Sequence, residues 1–318
     1  MCLAALISGL FSACYFISFT TEDGGILQWR QTEDGIAIRN YEDRLGVNNL
    51  VIPNEIDGKR VVEIANFGVV NSEQLHVITI GKYVERIGTF GLVNNSRLRR
   101  FEVHPENVHF TVCEDGALYT YDMKTLLFYP IGAIRSMKIS DGGVRTDLGN
   151  ELEAIRNDGS ITEDERFFRI LEIGAHIVIP EGVEVIRANA FYRNNFVVRY
   201  TLPSTVRKIG QSAFLLNSDL IAINATPITF GEDLLPASEL PEGLESIGKD
   251  AFLGCERLRF VIIPSTVTFV DEFAFFNAWR LRGIEVRQTE AQTASWHHRW
   301  NLTQNRGRIA GGNVTFVG

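Results

Sequence analysis

A repeated motif of fifteen residues constrains this sequence more than any other feature. "IGQSAFLLNSDLIAI" begins at Ile209, and "IGKDAFLGCERLRFV" begins at Ile247. Similar VxxI units, aligned on the apolar residue that ends each of them, end at Ile64, Ile87, Ile186, Ile209, Ile247 and Val270. Three neighbouring pairs of these anchors lie 23 residues apart. A period of this size is typical of a solenoid.

The aligned copies share side-chain types column by column. Four residues after each anchor stands Gly or Ala, and five residues after it stands a bulky apolar residue, which in the last four copies is Phe191, Phe214, Phe252 and Phe275. Eleven, fourteen and sixteen residues after the anchor come the apolar positions of a short strand. Each unit is therefore predicted to form a main strand, a bend, a brief second strand and a helical turn.

One such unit cannot fold alone. Five or six buried side chains contribute about 1.5 to 3 kcal/mol each, whereas ordering the backbone costs about 1 to 2 kcal/mol per residue. Stacking against neighbouring units supplies the missing burial, so the repetition predicts coils that lie side by side.

Small or amide side chains fill the column eight residues after the anchor. They are Ser72, Asn95, Asn194, Asn217, Cys255 and Ala278. An Asn turned inward at a bend can bond to unpaired backbone groups there, which is the place that leucine-rich repeats give to Asn or Cys. The alternative for the Asn residues is an ordinary exposed turn. Cys255 is interpreted as a small buried residue of the core.

Two repeats carry a specific family resemblance. "LPEGLESIGKDAFLGCERLRFVIIP" and "IPSTVTFVDEFAFFNAWRLRGIEV" resemble the BspA-like, treponemal-class leucine-rich repeats of bacterial surface proteins. "DGIAIRNYEDRLGVNNLVIPNEIDGKRVVEI" is similar to the family's N-terminal cap, "HPENVHFTVCEDGALYTYDMKTLLFYP" to a β-hairpin insertion, and "SWHHRWN" to a C-terminal cap. The resemblance implies a β-rich repeat solenoid with short helical turns, no catalytic activity, and a role in adhesion or host interaction.

The repeats divide the chain into segments. We expect an export leader over 1–19, an N-terminal cap over 20–63, leucine-rich repeats over 64–103, a hairpin insertion and a degenerate repeat over 104–178, further repeats over 179–287 and a C-terminal cap over 288–318. Fifteen extra residues interrupt the period near 225–240 and are expected to form a bulging loop. The pattern cannot be registered between Ser140 and about Gly174.

The first nineteen residues carry no charged side chain and precede "TTEDGG", which is typical of an export signal. Phe11-Ser12-Ala13-Cys14 resembles the site at which a bacterial lipoprotein is cut and acylated, so Cys14 is a candidate for lipidation. Cleaved secretion and an uncleaved anchor or buried element are the alternatives. The sequence therefore predicts a cell-surface or extracellular protein.

Composition and motifs exclude several functions. A net charge of −8 and the lack of basic runs argue against nucleic acid and against an anionic membrane surface, so only the N-terminus is expected to reach a membrane. No nucleophile elbow, phosphate-binding loop or zinc spacing occurs, and "RNDGSITEDE" lacks the first and third oxygen ligands of a calcium loop. We predict no enzyme, no cofactor and no metal.

The outward positions of the main strands are the candidate ligand-binding surface, on the concave face. They mix arginine with apolar side chains, as the cores of protein interfaces do. The predicted binding residues are Arg99, Arg100, Arg199, Arg259, Phe260 and Arg282, and the predicted ligand is a protein or a glycan. Ordinary strand propensity, or coverage of this face by an inserted hairpin, are the alternatives. A spacer without a ligand and an intracellular interaction scaffold are the alternative functions.

Overall fold

Strands stack in register through most of the chain, and the predicted leucine-rich-repeat solenoid with a period of about 23 residues is confirmed. The structure is a computed structural model that describes residues 17–135, 148–230, 233–301 and 314–318. None of the helices in these ranges has the length and apolar character that crossing a bilayer demands. Each coil has a main strand on one side and a bend strand on another, and in the regular later repeats the bend strand has two residues and ends at the anchor.

The N-terminal cap is a meander that joins the first bend strand. Its strands are β1 (Ile17–Thr20), β2 (Ile26–Gln31), β3 (Ile36–Glu42), β4 (Asn49–Val51), β5 (Glu55–Ile56) and β6 (Lys59–Ile64). β3 runs parallel to β6 and places Ile38 beside Ile64. Asp57 and Gly58 connect β5 to β6 with φ of 51° and 71°, the left-handed pair that a tight hairpin turn needs. β1 begins inside the segment 1–19 that the sequence assigns to a leader.

The first coils continue from this cap. Their strands are β7 (Val77–Ile80), β8 (Arg86–Ile87) and β9 (Arg100–Val103). β4, β7 and β9 form the first part of the main sheet, in parallel, with Leu50, Ile78 and Phe101 aligned and buried. β8 aligns Ile87 with Ile64 of β6.

An insertion separates these coils from the later ones. It contains β10 (Phe110–Val112), β11 (Leu118–Thr120), β12 (Thr125–Phe128), α1 (Ile131–Arg135), α2 (Leu148–Asn157) and α3 (Glu163–Ile173). The hairpin of β10 and β11 is present, and β12 then pairs in parallel with the next bend strand, with Leu126 beside Ile186. The inserted hairpin therefore completes a coil.

The degenerate repeat expected within 104–178 is a pair of helices over 148–173. α3 begins at a capping box in which the Glu165 N–H donates to Thr162 Oγ1 at 3.2 Å and the Thr162 N–H donates to Glu165 Oε2 at 2.9 Å. Phe167, Ile170 and Ile173 then recur at helical spacing and are buried. Residues of this stretch therefore follow the helical period, which is why the strand-based repeat cannot be registered there.

The later coils carry the remaining repeats. Their strands are β13 (Ala175–Val178), β14 (Val185–Ile186), β15 (Val197–Thr201), β16 (Lys208–Ile209), β17 (Ala222–Ile223), β18 (Thr226–Phe230), β19 (Asp233–Glu239), β20 (Ser246–Ile247), β21 (Phe260–Ile263), β22 (Phe269–Val270) and β23 (Gly283–Val286). The bend strands β12, β14, β16, β20 and β22 form one parallel ladder. The main sheet has two further parts, β13-β15-β17 and β19-β21-β23.

The loop expected near 225–240 is instead a β-hairpin. β18 and β19 pair antiparallel, and the end of β19 pairs in parallel with β21, with Ser238 beside Val261. Ser238 Oγ also accepts the Ile223 N–H at 3.0 Å, which ties the hairpin to β17. The insertion is long enough to pair with itself, and it returns to the main sheet as an additional strand.

The C-terminal cap closes the last coil. It contains the 3-10 helix Glu290–Thr293 and β24 (Val314–Phe316), which pairs with β23. The rings of Trp296 and Trp300 are 5.0 Å apart and nearly perpendicular, and Trp300 lies 6.4 Å from Phe275. Both tryptophans are buried, so they cover the open end of the core.

Four phenylalanine rings form a single file through the later coils. The centroids of Phe191, Phe214, Phe252 and Phe275 follow one another at 5.0, 5.2 and 5.3 Å, with interplanar angles of 14°, 7° and 4°. All four side chains are fully buried. Tyr129 precedes the file at 5.5 Å from Phe191. In the first coils the same column holds Val69 and Leu92.

The column eight residues after the anchor is buried in every described coil. Asn95 Nδ2 donates to the Val69 carbonyl at 2.9 Å, and Asn217 Nδ2 donates to the Phe191 carbonyl at 2.7 Å. Both acceptors lie 26 residues earlier, in the preceding coil. Cys255 Sγ donates in the same way to Phe214, at 3.3 Å. The buried Asn194 side chain, in contrast, makes no such bond to a preceding coil.

Left-handed backbone recurs three and seven residues after the anchors. Among the described residues with positive φ are Phe67 and Asn71 after Ile64, Ser212 and Leu216 after Ile209, and Phe273 and Asn277 after Val270. These two positions flank the helical turn and turn the chain sharply into and out of it. Phe and Leu adopt this conformation at a cost, so stacking of the coils, and not local preference, holds the backbone there.

Candidate ligand-binding surface

Insertions divide the outer face of the main sheet into a covered part and an open part. The open sheet face consists of the outward residues of β4, β7 and β9, which are Asn49, Val51, Val77, Thr79, Arg100 and Glu102. Five of these six side chains reach solvent, and Val77 is buried. In contrast, every residue of β21 is buried, although alternate residues of a strand point to opposite faces. Something must cover β21 from outside.

The helices α2 and α3 cover the middle of the main sheet. Val198 and Ile221, both at outward positions, are fully buried and belong to the same apolar cluster as Leu152 of α2 and Phe167 of α3. Gly174, directly after α3, lies so close to Val198 that an added Cβ would clash with its Cγ1. The apolar outward residues of these strands are therefore part of a core.

A group of ion pairs fastens the helices to the coils. Asp219 is buried and pairs with Arg156 of α2 and, at 3.1 Å, with Arg257 of the solenoid. Arg156 also donates to the Asn195 carbonyl at 2.8 Å. A carboxylate buried between two guanidinium groups needs both partners, because a single unpaired charge inside the protein is strongly destabilising.

Arg259 and Phe260 do not lie on an open surface, which corrects the sequence-based expectation for these two residues. The Arg259 guanidinium lies 3.8 Å from the centroid of the Phe167 ring and 3.4 Å from the Asp164 carboxylate, and the side chain is only 5% exposed. Phe260 is 8% exposed and clusters with Ile262 and with Ala237 of the inserted hairpin. The helices therefore cover Arg259, and the hairpin of β18 and β19 covers Phe260.

The other predicted binding residues are spread over the sheet. Arg199 is half-buried, and its Nε is buried without a hydrogen-bond partner. Arg282 is exposed near the C-terminal end of the main sheet. Arg99 and Arg100 are exposed beside one another at the start of β9, and Arg100 is paired with Glu102 at 2.7 Å. Of the predicted set, Arg99 and Arg100 lie side by side and exposed, whereas Arg282 lies one coil after the covered Arg259, to whose carbonyl its N–H donates at 2.7 Å.

Two residues outside the predicted set complete a cationic patch, which we define as His76, Arg97 and Arg99. The Arg99 N–H donates to the His76 carbonyl at 2.8 Å, so the two residues occupy equivalent places in successive coils. Burial, and then the guanidinium groups of Arg99 and Arg97, lower the pKa of His76. Arg97 lies in the turn that precedes β9, outside the strand positions from which the candidate surface was predicted.

Arg97 and Arg99 contact no carboxylate among the described residues, in contrast to Arg86 and Arg287. Arg86 contacts Asp34, Glu63 and Glu85, and Arg287 contacts Glu239, Glu242 and Glu285. The two exposed guanidinium groups of the patch therefore present positive charge to solvent, although the net charge of the chain is −8.

Two cysteine thiols lie among the described residues. Burial raises the pKa of the thiols of Cys113 and Cys255, so both stay protonated and weakly nucleophilic at neutral pH. Within the part of the chain that the structure covers, no three His, Cys, Asp or Glu side chains gather as a metal site would require. Cys14, the lipidation candidate, lies outside the described residues.

Comparison with known proteins agrees with this architecture. A family model described as a BspA type leucine rich repeat region matches residues 161–228 and 227–301. Residues 161–301 thus match BspA-type leucine-rich repeats, and the predicted resemblance is confirmed for this part of the chain. No curated protein matches the sequence.

Three solved structures illustrate the similarity. The pneumococcal vaccine antigen PcpA is 13% identical, with a TM-score of 0.50 over 95% of this chain and 87% of that chain. A leucine rich cell surface protein from Faecalibacterium prausnitzii A2-165 is 13% identical, with a TM-score of 0.46 over 95% of each chain. A leucine rich repeat protein of T. pallidum is 22% identical, with a TM-score of 0.37 over 85% and 90%. The first of these likenesses supports the fold alone.

Proposed function

We propose that this chain is an exported, non-catalytic binding protein that mediates adhesion or host contact through the open sheet face and the cationic patch. The observation that carries the proposal is the unpaired state of Arg97 and Arg99, next to the part of the main sheet that the insertions leave uncovered. Their partner bears carboxylate or sulfate groups, on a protein or on a glycan, because a guanidinium fork binds such groups through two parallel hydrogen bonds.

A double substitution tests the binding site. Arg97→Ala with Arg99→Ala removes two exposed charges without removing a buried contact. We expect the affinity for immobilised host-matrix proteins or sulfated glycans to fall at least tenfold, and the remaining binding to depend less on salt.

Arg207→Ala with Lys208→Ala is the matched control, because it removes the same charge from exposed positions at the bend strand β16. We expect this control to bind within twofold of the unaltered protein. Equal losses in the two double variants would contradict the proposed site. Absence of any saturable ligand would favour a spacer instead.

The proposed location has its own test. Two features support export: the N-terminal segment carries no charged side chain, and the residues that end at Cys14 resemble the site at which a bacterial lipoprotein is cut and acylated. Fractionation of the native protein, with mass analysis of its mature N-terminus, should find the protein at the surface or outside the cell, and an acylated Cys14 would identify a lipoprotein. Recovery of the intact chain from the cytoplasm would favour an intracellular interaction scaffold.

A further inference from the structure

A cleft of about 360 Å³ lies at the N-terminal edge of the main sheet, at the opposite ends of the strands from the cationic patch. Phe19 of β1 and Val51 of β4 contribute apolar surface to it, and Thr79 of β7 lies beside them. Its volume lies within the range of about 300 to 1,000 Å³ that is usual for ligand sites. Val51 is 47% exposed, so its side chain is accessible to a guest in the cleft.

Two strands adjoin this cleft with one neighbour each among the described strands. β1 pairs only with β2, and β4 pairs only with β7. The Ile52 N–H donates to the Thr79 carbonyl, and the Val77 N–H donates to the Asn48 carbonyl, so even-numbered residues of this segment bond to β7. In a parallel ladder the alternate residues point their peptide groups the other way. Asn49 and Val51 therefore direct their peptide groups to the free edge.

A carboxylate already occupies one hydrogen-bonding position on this edge. The Val51 N–H donates to Asp23 Oδ2 at 3.2 Å. The acceptor stands where the carbonyl of an added strand would stand. The Val51 N–H thus donates to a partner other than a strand of this sheet, and a strand added at this edge would replace the Asp23 carboxylate there.

Charge limits what can enter the cleft. Glu22, Asp23 and Glu55 line it and are exposed. A guest segment with Lys or Arg side chains would match these three carboxylates, and apolar side chains at alternate positions would match Phe19 and Val51. Residues 1–16 of this chain contain no Lys or Arg, so they lack the matching charge.

We propose that this cleft binds an extended peptide segment of a partner protein, with basic and apolar residues in alternation, which adds to β4 as a further strand. Backbone hydrogen bonds to Asn49 and Val51 give this interaction its affinity, and the carboxylates of Glu22, Asp23 and Glu55 select basic sequences. The site is separate from the cationic patch and does not depend on the proposed adhesion function.

A labelled hexapeptide probes the site in the full-length protein. Fluorescence polarisation with acetyl-Lys-Val-Lys-Val-Lys-Val-amide should show saturable binding. The Glu analogue of the peptide should bind at least tenfold more weakly, and so should a Lys peptide that is N-methylated at alternate amides, because it cannot donate the backbone hydrogen bonds of an added strand. Weaker binding of both control peptides separates strand addition from simple charge attraction.

Two substitutions locate the binding. Val51→Lys places a positive charge in the cleft and should reduce the affinity at least tenfold, whereas Val178→Lys, at a similarly exposed valine on β13, should leave it within twofold. Glu22→Gln with Glu55→Gln should also weaken binding. The Arg97→Ala and Arg99→Ala variant should bind the Lys peptide normally, so failure of one site is distinguishable from failure of the other.

Three results would overturn the proposal. One is the lack of saturable binding of the Lys peptide, and another is equal affinity for the N-methylated peptide. The third is unchanged affinity in Val51→Lys, provided that circular dichroism shows this variant to be folded.

Discussion

The first coils and the later coils of this solenoid use the same repeat for different purposes. In the later coils a file of phenylalanine rings fills the interior, and inserted helices and a hairpin bury the outer face of the main sheet, so β21 is buried on both sides. In the first coils the file column holds Val69 and Leu92, and the outer face of β4, β7 and β9 stays open. The repeat builds the scaffold, and the insertions decide which face a partner can reach.

Removal of a ring from the file should have the largest effect on stability. Phe214 is fully buried between Phe191 and Phe252, so Phe214→Ala opens a cavity and should lower the free energy of unfolding by about 3 to 5 kcal/mol. Urea denaturation followed by circular dichroism measures this change. Phe67→Ala, at an exposed ring of the first coils, should cost less than about 1 kcal/mol. Similar losses in the two variants would contradict the difference between the regions.

Loss of the ion pairs at Asp219 should have the second-largest effect on stability. Asp219→Ala leaves Arg156 and Arg257 without their shared carboxylate, and should cost about 3 kcal/mol and speed hydrogen exchange in α2 and α3. Asp164→Ala is the matched control, because Asp164 also ties the helices to the solenoid but is 76% exposed, and its loss should cost less than about 1 kcal/mol. An unchanged rate of hydrogen exchange in α2 and α3 of Asp219→Ala would show that apolar contacts alone hold these helices against the main sheet.

Two asparagines in the same column should respond differently. Asn217 donates to the Phe191 carbonyl and accepts from the Tyr200 hydroxyl, both at 2.7 Å, so Asn217→Ala should cost about 1 to 3 kcal/mol by leaving buried groups unpaired. Asn194 is buried but makes no such bond to a preceding coil, so Asn194→Ala should cost less than about 1 kcal/mol. Denaturant midpoints of the two variants measure the difference. Equal losses of stability would refute the role given to the hydrogen bonds that this column makes to the preceding coil.

Much of the scaffold was predictable from the sequence because stacking leaves one residue type in each inward column. The anchors, the Phe file and the buried column of Asn and Cys are all of this kind. The left-handed positions were less visible, since Asn71 and Asn277 suit that conformation but Phe67, Leu216 and Phe273 do not. At those residues the neighbouring coils override local preference.

The covered part of the outer face was not predictable from local pattern. Val198 and Phe260 are apolar at outward positions, and that observation fits a partner interface and an internal cover equally well. The deciding contacts join residues far apart in sequence, such as Asp164 with Arg259 and Asn195 with Arg156. No periodicity in the sequence reports where an inserted helix docks.

The smallest predicted effect concerns the cationic patch of the first coils. The pKa of His76 lies below its ordinary value of 6.5, chiefly because of burial and further because of Arg99 and Arg97. Arg97→Ala with Arg99→Ala should therefore raise this pKa part of the way back, which an NMR titration of the imidazole can measure. Arg207→Ala with Lys208→Ala should leave it unchanged.

The sign of the pH effect follows from the same shift. Because the folded protein binds this proton less tightly than the unfolded chain does, His76 lowers stability as pH falls below about 6.5. This loss should be smaller in the variant without Arg97 and Arg99. A pKa of His76 that stays unchanged in that variant would mean that the two guanidinium groups do not act on the imidazole.

The most direct test of the central claim is a chemical map of arginine accessibility. Phenylglyoxal modification of the folded protein, followed by peptide mass analysis over time, compares Arg97 and Arg99 on the open side with Arg259 under the helices. The structure predicts rapid modification of Arg97 and Arg99 and protection of Arg259 until the protein unfolds. Modification of Arg259 at the rate of Arg99 in the folded protein would show that the insertions do not cover the later coils, and would contradict the division of this surface into a covered and an open part.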